Sequence, residues 1–311
     1  MWATKIIDFI FDGIASFEGK MQNRMGYLYA LLGILTNLLM TWDVKALHNF
    51  NPLQLISLRG VISLWMLYPI MAHEEIPFVH DSPPTNRILV IRGVLALLSM
   101  PLYIFAVVVL SIAENAVISM LGPPIVGLLC WAFLGEKYTK DNFISAVVSF
   151  LGVLCIVKPS LFLIFGTVES QSGPVQQYDD LTVLLARLAL ILSVIFDAVT
   201  SMIMRRLGPS VHTATITAYF CLFVGVFSFA GVIQSGIVND ASPQEWFYII
   251  QYCVAGLLCQ IFTARAYAFE KAAKVALVSY LNIIFSYAMD IVLFGATVSP
   301  NHIVGVSLIF T

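Results

Sequence analysis

Several ionisable residues interrupt long apolar stretches of this sequence, where charges are rare. A charged side chain in the hydrocarbon layer of a membrane costs at least roughly 2.5–3.5 kcal/mol on insertion scales, so such a residue commonly serves the binding or movement of a solute. The set consists of Arg59, Arg92, Glu114, Arg187, Asp197, Arg265 and Asp290. Asp197 is the strongest candidate, because it lies near the middle of its stretch and its short side chain cannot extend to the membrane surface.

Some members of this set also have purely structural explanations. Arg92 and Arg265 lie near the ends of their apolar stretches, where a long side chain can extend to the lipid headgroups. Glu114 and Arg187 are expected near the opposite surface, where structural pairing would account for both. Arg59 and Asp197 lie further inside their stretches, so neither explanation covers them.

Small polar residues recur at helical spacing within the same apolar stretches. Residues three or four positions apart share one face of a helix, and in a membrane a polar face must meet protein or water. The three stripes are Gly33, Asn37 and Thr41; Ser193, Asp197 and Ser201; and Ser279, Asn282, Ser286 and Asp290. Helix contacts through small polar residues are the ordinary alternative. The two carboxylates favour a solute cavity.

Two further stretches combine polar residues with proline. Arg92, Ser99 and Tyr103 share a face beside Pro101, and Ser119 precedes two consecutive prolines. Proline removes a backbone hydrogen bond, and interrupted helices in membranes line cavities or are buried in protein. The predicted substrate-binding residues are Asn37, Arg59, Arg92, Tyr103, Ser119, Asp197, Arg265, Ser279, Tyr280, Asn282 and Asp290. We expect Asn37, Asp197, Ser279 and Asn282 to face one shared central cavity.

The composition requires that these residues be carried by membrane-spanning helices. Hydrophobic residues make up 59% of the chain and charged residues 11%, whereas soluble proteins have roughly 45–50% and about 25%. A span needs about 20 largely apolar residues. Nine such segments are predicted at 25–45, 52–72, 87–110, 112–134, 141–158, 181–204, 211–234, 245–267 and 272–295, with a tenth opening at Asn301. Residues 1–20 predict an amphipathic helix lying in the membrane interface.

The distribution of Lys and Arg predicts the orientation. With a cytoplasmic N-terminus, ten basic residues fall in cytoplasmic segments and only Lys45 and Lys158 fall opposite, which agrees with the positive-inside rule. The net charge of −2 argues against nucleic acid as a partner. We therefore expect an integral, multi-pass membrane protein.

An offset of about 160 residues superimposes the two halves of the sequence. Asn37 then corresponds to Asp197, Lys45 to Arg205 and Ser119 to Ser279. Because each half has five spans, an odd number, the second must insert upside down relative to the first. The predicted organisation is an interfacial helix (1–20), a first five-helix repeat (25–158), a connecting loop (159–180) and an inverted second repeat (181–311). The offset also places the end of the tenth span near position 318, so we expect the natural protein to continue past Thr311.

Signatures of catalysis are missing from the sequence. It contains no phosphate-binding loop, no GxSxG nucleophile elbow and no HExxH zinc motif, so we expect neither enzymatic activity nor a cofactor. The five cysteines all lie in apolar runs with no CxxC pair. We expect them to be buried structural thiols, with no metal site.

Two motifs carry a resemblance to a known family. The sequence AENAVIS at 113–119, followed by Pro123 and by WAFLGE at 131–136, resembles the EamA-type repeat of the drug/metabolite transporter superfamily, most closely group G of solute carrier family 35. The second half echoes it at Arg265-Ala266-Tyr267, Ser279-Tyr280 and Leu293-Phe294-Gly295. It departs from the pattern at Ala296, where the family has Glu. The resemblance implies a central cavity lined by spans one, three, four, six, eight and nine.

The leading hypothesis is a secondary transporter that moves a small polar metabolite by alternating access. The four Arg and three acids within the spans sum to +1, which weakly favours an organic anion held by Arg92 or Arg59. A zwitterion fits nearly as well, with Asp197 binding its amine, and Asp197 is also the candidate for proton coupling. The alternative is a non-transporting structural subunit of a larger membrane complex that retains the transporter fold. The expected partners are membrane lipids, a small-molecule substrate and, if the chain assembles, a second copy or a larger assembly.

Overall fold

The computed structural model describes residues 24–47, 50, 52–110, 115, 118–137, 140, 143–148, 151, 179–235 and 242–285. Several of the predicted features lie outside these residues. They are the interfacial helix at 1–20, most of the loop at 159–180, the tenth span and Asp290.

The described residues form helices and the connections between them, with no β-strand. Eight helices have defined limits: α1 Met25–Ala46, α2 Pro52–His73, α3 Pro83–Val109, α4 Gly122–Leu134, α5 Asp180–Leu207, α6 Thr213–Ser235, α7 Pro243–Phe269 and α8 Ala272–Val278. The apolar segment that begins with α8 extends to Phe285. Local sequence explains several of these limits. Ser242 and Glu245 form a capping box at the start of α7, and Gly135 adopts a left-handed φ of 68° where α4 ends.

Five segments of these helices are long and apolar enough to cross a membrane. They are Met25–Val44, Gln54–His73, Pro83–Val109, Asp180–Leu207 and Pro243–Phe269. The outer surface of the helices is strongly apolar: Trp65, Tyr68 and Phe133 are 78%, 70% and 74% exposed. A soluble protein rarely exposes so much apolar surface, whereas lipid is the solvent that such a surface requires. The fold is therefore that of an all-helical membrane protein.

Most of the contacts between helices join a helix from the first half of the sequence to one from the second half. The most extensive contacts join α1 to α7, α2 to α6, and α3 to α5, while α4 packs on both α5 and α8. A buried apolar cluster around Met25, Tyr29, Leu89, Met204 and Tyr267 joins these helices where α1 and α3 begin and where α5 and α7 end. We call this the basic end, because it also holds Arg205 and Arg206.

The contact between α2 and α6 depends on two glycines. A Cβ atom added at Gly60 would lie 2.5 Å from the Cα atom of Gly225 and 3.1 Å from the carbonyl oxygen of Cys221. The backbones of the two helices therefore approach closely, as helices in membranes do where small residues meet.

We predict that Gly60→Ala destabilises the protein, because its methyl group must displace the backbone of α6. Overpacking of this kind costs about 1–3 kcal/mol. The measurement is the thermal unfolding midpoint in detergent. Gly122→Ala is the matched control, because the nearest atom to its added Cβ is Val194 Cγ1 at 3.8 Å. Equal midpoints for the two variants would show that the α2–α6 approach tolerates a side chain.

Candidate functional site

A cavity of about 310 Å³ lies between α3, α4, α5, the end of α7 and α8. Apolar positions such as Val126, Val194 and Ala276 form part of its wall. The polar residues of the lining are Tyr103, Ser119, Ser193, Asp197, Ser201, Tyr267 and Ser279. Its size and mixed lining are those of a site for a small molecule.

The charged group of this cavity is the carboxylate of Asp197. The Ser99 hydroxyl on α3 donates a hydrogen bond to Asp197 Oδ1 at 2.8 Å, and Ser99 Oγ lies 3.0 Å from Ser193 Oγ. The stripe Ser193, Asp197 and Ser201 therefore lies on the face of α5 that meets both α3 and the cavity. No Lys, Arg or His belongs to the lining that the structure describes. Asp197 thus has hydrogen-bond support and access to the cavity but no cationic partner there, an arrangement suited to an amine or another cationic group.

Four of the predicted substrate-binding residues meet in this cavity. Tyr103, Ser119, Asp197 and Ser279 come from different segments of the chain, and all contribute to its wall. Ser201 and Tyr267 also line it, although neither was among the predicted binding residues. Ser201 belongs to the polar stripe of Asp197, so its spacing was a signal that could have identified it.

The remaining predicted residues that the structure describes lie outside this lining. Asn37 is half-buried on α1, which packs against α7. Tyr280 is fully buried, and its hydroxyl donates to the Met120 carbonyl oxygen at 3.1 Å. Asn282 has a buried Oδ1 atom without a hydrogen-bond partner in the described structure. Of the four residues expected to share one cavity, Asp197 and Ser279 line the cavity described here, and Asn37 and Asn282 do not.

Arg59 and Arg92 form a separate polar region between α2, α3, α6 and α7. Arg92 is 1% exposed, so it does not extend to the membrane surface, and its Nη1 atom donates to the Ile216 carbonyl oxygen at 2.9 Å. Arg59 donates to the Gly256 carbonyl oxygen at 3.5 Å. Both guanidinium groups lie against the ring of Phe220, at 5.8 Å for Arg59 and 5.4 Å for Arg92, a cation–π arrangement.

Arg92 and Asp197 lie along the same helix contact. Arg92 meets Met204 on α5, and seven residues further along α3, Ser99 meets Asp197. Seven residues correspond to about 10 Å along a helix. The buried cation and the cavity carboxylate are thus about two turns apart and form no direct ion pair.

Arg265 lies near the end of α7, at the basic end. Its guanidinium group is 6.0 Å from the centre of the Tyr29 ring. It also acts on His212, which lies in the connection between α5 and α6. Burial lowers the pKa of His212, and the charge of Arg265 lowers it further, while Glu74 acts in the opposite direction. We therefore expect His212 to be neutral at physiological pH.

An ion pair and the hydrogen bonds beside it connect α4, α5, α7 and α8 at the basic end. Arg205 Nε on α5 donates to Glu136 Oε1 at 2.6 Å, just beyond α4. Arg205 Nη1 also donates to the carbonyl oxygens of Tyr267 and Ala268 at the end of α7. Glu136 Oε2 accepts the backbone N–H of Ala272 at the start of α8 at 3.3 Å. We call these contacts the basic-end latch. The predicted site residues do not include Glu136 or Arg205, because both lie at span ends where a charge is unremarkable.

Comparison with known proteins identifies the family. The EamA-like transporter family matches residues 24–158 and again residues 184–311. The chain belongs to the EamA-like transporter family. It is accordingly an integral, multi-pass membrane protein, and the resemblance drawn from the motifs is confirmed.

Three curated relatives cover most of the chain. An uncharacterised membrane protein of Saccharomyces cerevisiae is 26% identical over 263 residues, which are 81% of this chain and 63% of the yeast protein. Solute carrier family 35 member G1 of Homo sapiens is 28% identical over 284 residues, covering 87% of this chain and 73% of the human protein. The pseudopaline exporter CntI of Pseudomonas aeruginosa is 27% identical over 264 residues, covering 85% of each chain.

A solved crystal structure has the same fold. It aligns with a TM-score of 0.75 over 92% of this chain and 93% of its own, at 17% sequence identity. The helical arrangement is therefore one that another protein adopts in a crystal.

We predict that the cavity is open to water-soluble reagents. Ser201→Cys, in the cavity wall, should react with a charged methanethiosulfonate reagent, whereas Leu188→Cys should not, because that side chain is 55% exposed on the outer, lipid-facing surface. The readout is mass spectrometry of the peptide that carries the substituted position, which separates it from the native cysteines. Equal reactivity at the two positions would contradict a water-accessible cavity.

Proposed function

We propose that this protein is a secondary transporter of a small polar solute that carries an amine, and that Asp197 binds this amine. The observation that carries the proposal is the cavity itself, whose described lining contains one carboxylate, several hydroxyl groups and no basic side chain. A cationic group entering it would gain a charge-assisted hydrogen bond with Asp197. The weak preference for an organic anion held by Arg92 or Arg59 loses support, because both guanidinium groups lie outside this lining.

A zwitterionic metabolite fits this proposal better than a simple cation. The hydroxyl groups of Tyr103, Ser119 and Ser279 can donate hydrogen bonds to the acidic group of such a solute. The alternative of a structural subunit predicts a cavity filled by lipid or side chains. The open volume of about 310 Å³ beside Asp197 favours transport.

The arrangement of helix contacts supports two inverted repeats and alternating access. At the 160-residue offset, α1, α2 and α3 correspond to α5, α6 and α7. The contact between α1 and α7 then corresponds to that between α5 and α3, while the α2–α6 contact corresponds to itself. This is the pattern of contacts that a twofold relation between repeats generates. In such folds the substrate lies between the repeats, and rocking one against the other opens the site to each side in turn.

We infer that the basic-end latch holds the transporter closed on this side. Arg205 joins α5 to Glu136 and to the end of α7, and all three segments border the cavity. Under the positive-inside orientation the closed side is cytoplasmic. At the repeat offset, Arg205 corresponds to Lys45, but Glu136 corresponds to Ala296. The opposite end therefore lacks the matching acid in sequence, which favours the conformation closed at the basic end.

We predict that Asp197→Asn weakens binding of amine-bearing solutes while the protein stays folded. The assay is thermal stabilisation of the purified protein by a panel of amino acids, diamines and dicarboxylates. Loss of the ion pair should weaken binding at least roughly tenfold, since removal of a charged partner costs more than about 1.4 kcal/mol. Asp81→Asn, an exposed acid outside the helices, is the control. Stabilisation of the wild type by dicarboxylates alone would refute the assignment.

We predict that Arg205→Gln opens the basic end. The reporter is Ala272→Cys, whose position is 0% exposed beside the latch and should react with a thiol reagent only when this end opens. Loss of the charged hydrogen bonds should raise its labelling rate roughly tenfold, the factor that corresponds to about 1.4 kcal/mol. Arg206→Gln, at the exposed neighbouring position, is the matched control. If both variants label at the rate of the parent, the latch does not hold this end closed.

A further inference from the structure

A residue of α3 holds the carboxylate of Asp197 from behind the cavity wall. Ser99 is 4% exposed and does not belong to the described lining, yet its hydroxyl lies 2.8 Å from Asp197 Oδ1. The same oxygen lies 3.0 Å from Ser193 Oγ and 3.4 Å from the Ser193 carbonyl oxygen. Ser99 was not among the predicted binding residues, although it shares a face of α3 with Arg92 and Tyr103.

The hydroxyl protons give these contacts a direction. A serine hydroxyl has one proton to donate and two lone pairs that can accept. Asp197 Oδ1 is the nearest acceptor of Ser99 and, when ionised, the strongest, so the Ser99 proton goes to it. The buried Ser193 hydroxyl can then donate to Ser99 Oγ. The two hydroxyls form a chain that ends on the carboxylate, and each hydrogen bond of such a chain strengthens the next.

The chain engages one of the two carboxylate oxygens. Asp197 is exposed and borders the cavity, and no donor among the described residues forms a hydrogen bond with its Oδ2 atom. A hydrogen bond to an ionised carboxylate favours the charged form over the protonated one. Fixing one oxygen also reduces the side-chain freedom that is lost when a ligand binds the other. Ser99 therefore prepares the carboxylate for a cation that it does not itself contact.

Neighbouring cations do not hold Asp197. Arg92, about two turns along α3, donates to a backbone carbonyl oxygen of α6. Arg205, about two turns along α5, belongs to the basic-end latch. The titratable residues that the rest of the described wall contributes are Tyr103 and Tyr267, which carry no positive charge. The hydrogen bond from α3 is thus the support that the described structure gives this carboxylate.

Buried hydroxyls between helices can also serve packing alone. At the repeat offset, however, Gly33 and Cys259 take the places of Ser193 and Ser99. The related contact between α1 and α7 therefore packs without hydroxyl groups at these two positions. A helix contact of this kind does not require them, whereas the contact that carries the acid has both.

We propose that Ser99 is the positioning residue of the solute site, because it keeps Asp197 ionised and directs the second carboxylate oxygen into the cavity to bind the solute amine. Ser193 supports Ser99 as the outer member of the chain. The site thereby selects a cationic group over a neutral hydrogen-bonding one. The inference deepens the proposed function and rests on it for the solute, whereas the action of Ser99 on the carboxylate is a property of the protein alone.

The test measures the charge of the cavity without a solute. Ser201→Cys, one turn from Asp197 on α5, is labelled with trimethylammonioethyl methanethiosulfonate, whose cationic group represents the amine, and with the anionic sulfonatoethyl reagent. Mass spectrometry of the peptide that carries position 201 gives each rate, which is divided by the rate for a free thiol in solution. The cationic reagent should react at least roughly tenfold faster, because a negative charge about 6 Å along the helix attracts it and repels the anion.

Variants in this background isolate the contribution of Ser99. Ser99→Ala should reduce the cationic preference to less than about threefold, close to that of Asp197→Asn, since the ionised carboxylate loses its hydrogen bond. Ser99→Thr keeps the hydroxyl and should restore the preference, while Ser193→Ala should have a smaller effect than Ser99→Ala. Ser63→Ala is the matched control and should keep the full preference. Ser63 is 1% exposed and donates to the Cys253 carbonyl oxygen on α7 at 3.2 Å, outside the described lining.

The outcomes separate this assignment from the proposed function. An unchanged preference in Ser99→Ala would overturn the positioning role, and so would an equal loss in Ser63→Ala. If the preference depends on Ser99 but no amine of the solute panel stabilises the wild type, the action on the carboxylate stands and the proposed function fails. If Asp197→Asn keeps the preference, both fail.

A further variant covers the case in which Ser99→Ala does not fold. Ser99→Cys has nearly the same shape and a weaker donor. It should give a cationic preference between those of the parent and Asp197→Asn. A preference equal to that of the parent would count against Ser99 as the positioning residue.

Discussion

The rest of the structure depends on the absence of water from the hydrocarbon layer, which leaves each polar group dependent on protein partners or on a cavity. The stripe of Asp197 on α5 satisfies this requirement by facing Ser99 of α3 and the cavity. Arg92 satisfies it through a carbonyl oxygen of α6. Because these partners belong to different helices, the polar groups also determine which helices must be neighbours.

The two halves of the chain interlock through these contacts. Each of α1, α2 and α3 packs mainly against a helix from the second half, so neither half buries its polar groups by itself. Under the proposed alternating access, these contacts between the halves are the ones that a rocking motion would exchange.

The chemistry of the proposed transport cycle is asymmetric, although the scaffold repeats. At the repeat offset Asp197 and Ser99 correspond to Asn37 and Cys259, so only one of the two related helix contacts carries an acid facing the cavity. The latch acid Glu136 corresponds to Ala296. In the proposed cycle, this difference between related contacts favours one conformation over the other, and a bound solute can shift that balance.

Sequence alone determined that this is an integral membrane protein, since a soluble fold cannot bury the apolar surface of a chain with 59% hydrophobic residues. It also determined the family and singled out Asp197 as a candidate, because helical spacing and the cost of buried charge are local properties. Only the tertiary structure decided which polar residues share a cavity. Asn37 and Ser193 carry similar local signals, yet Ser193 lines the cavity and Asn37 does not. It also decided that Arg205 reaches Glu136. The physical reason is that helical periodicity determines which residues share a face, whereas the neighbour of each face depends on contacts between helices distant in sequence.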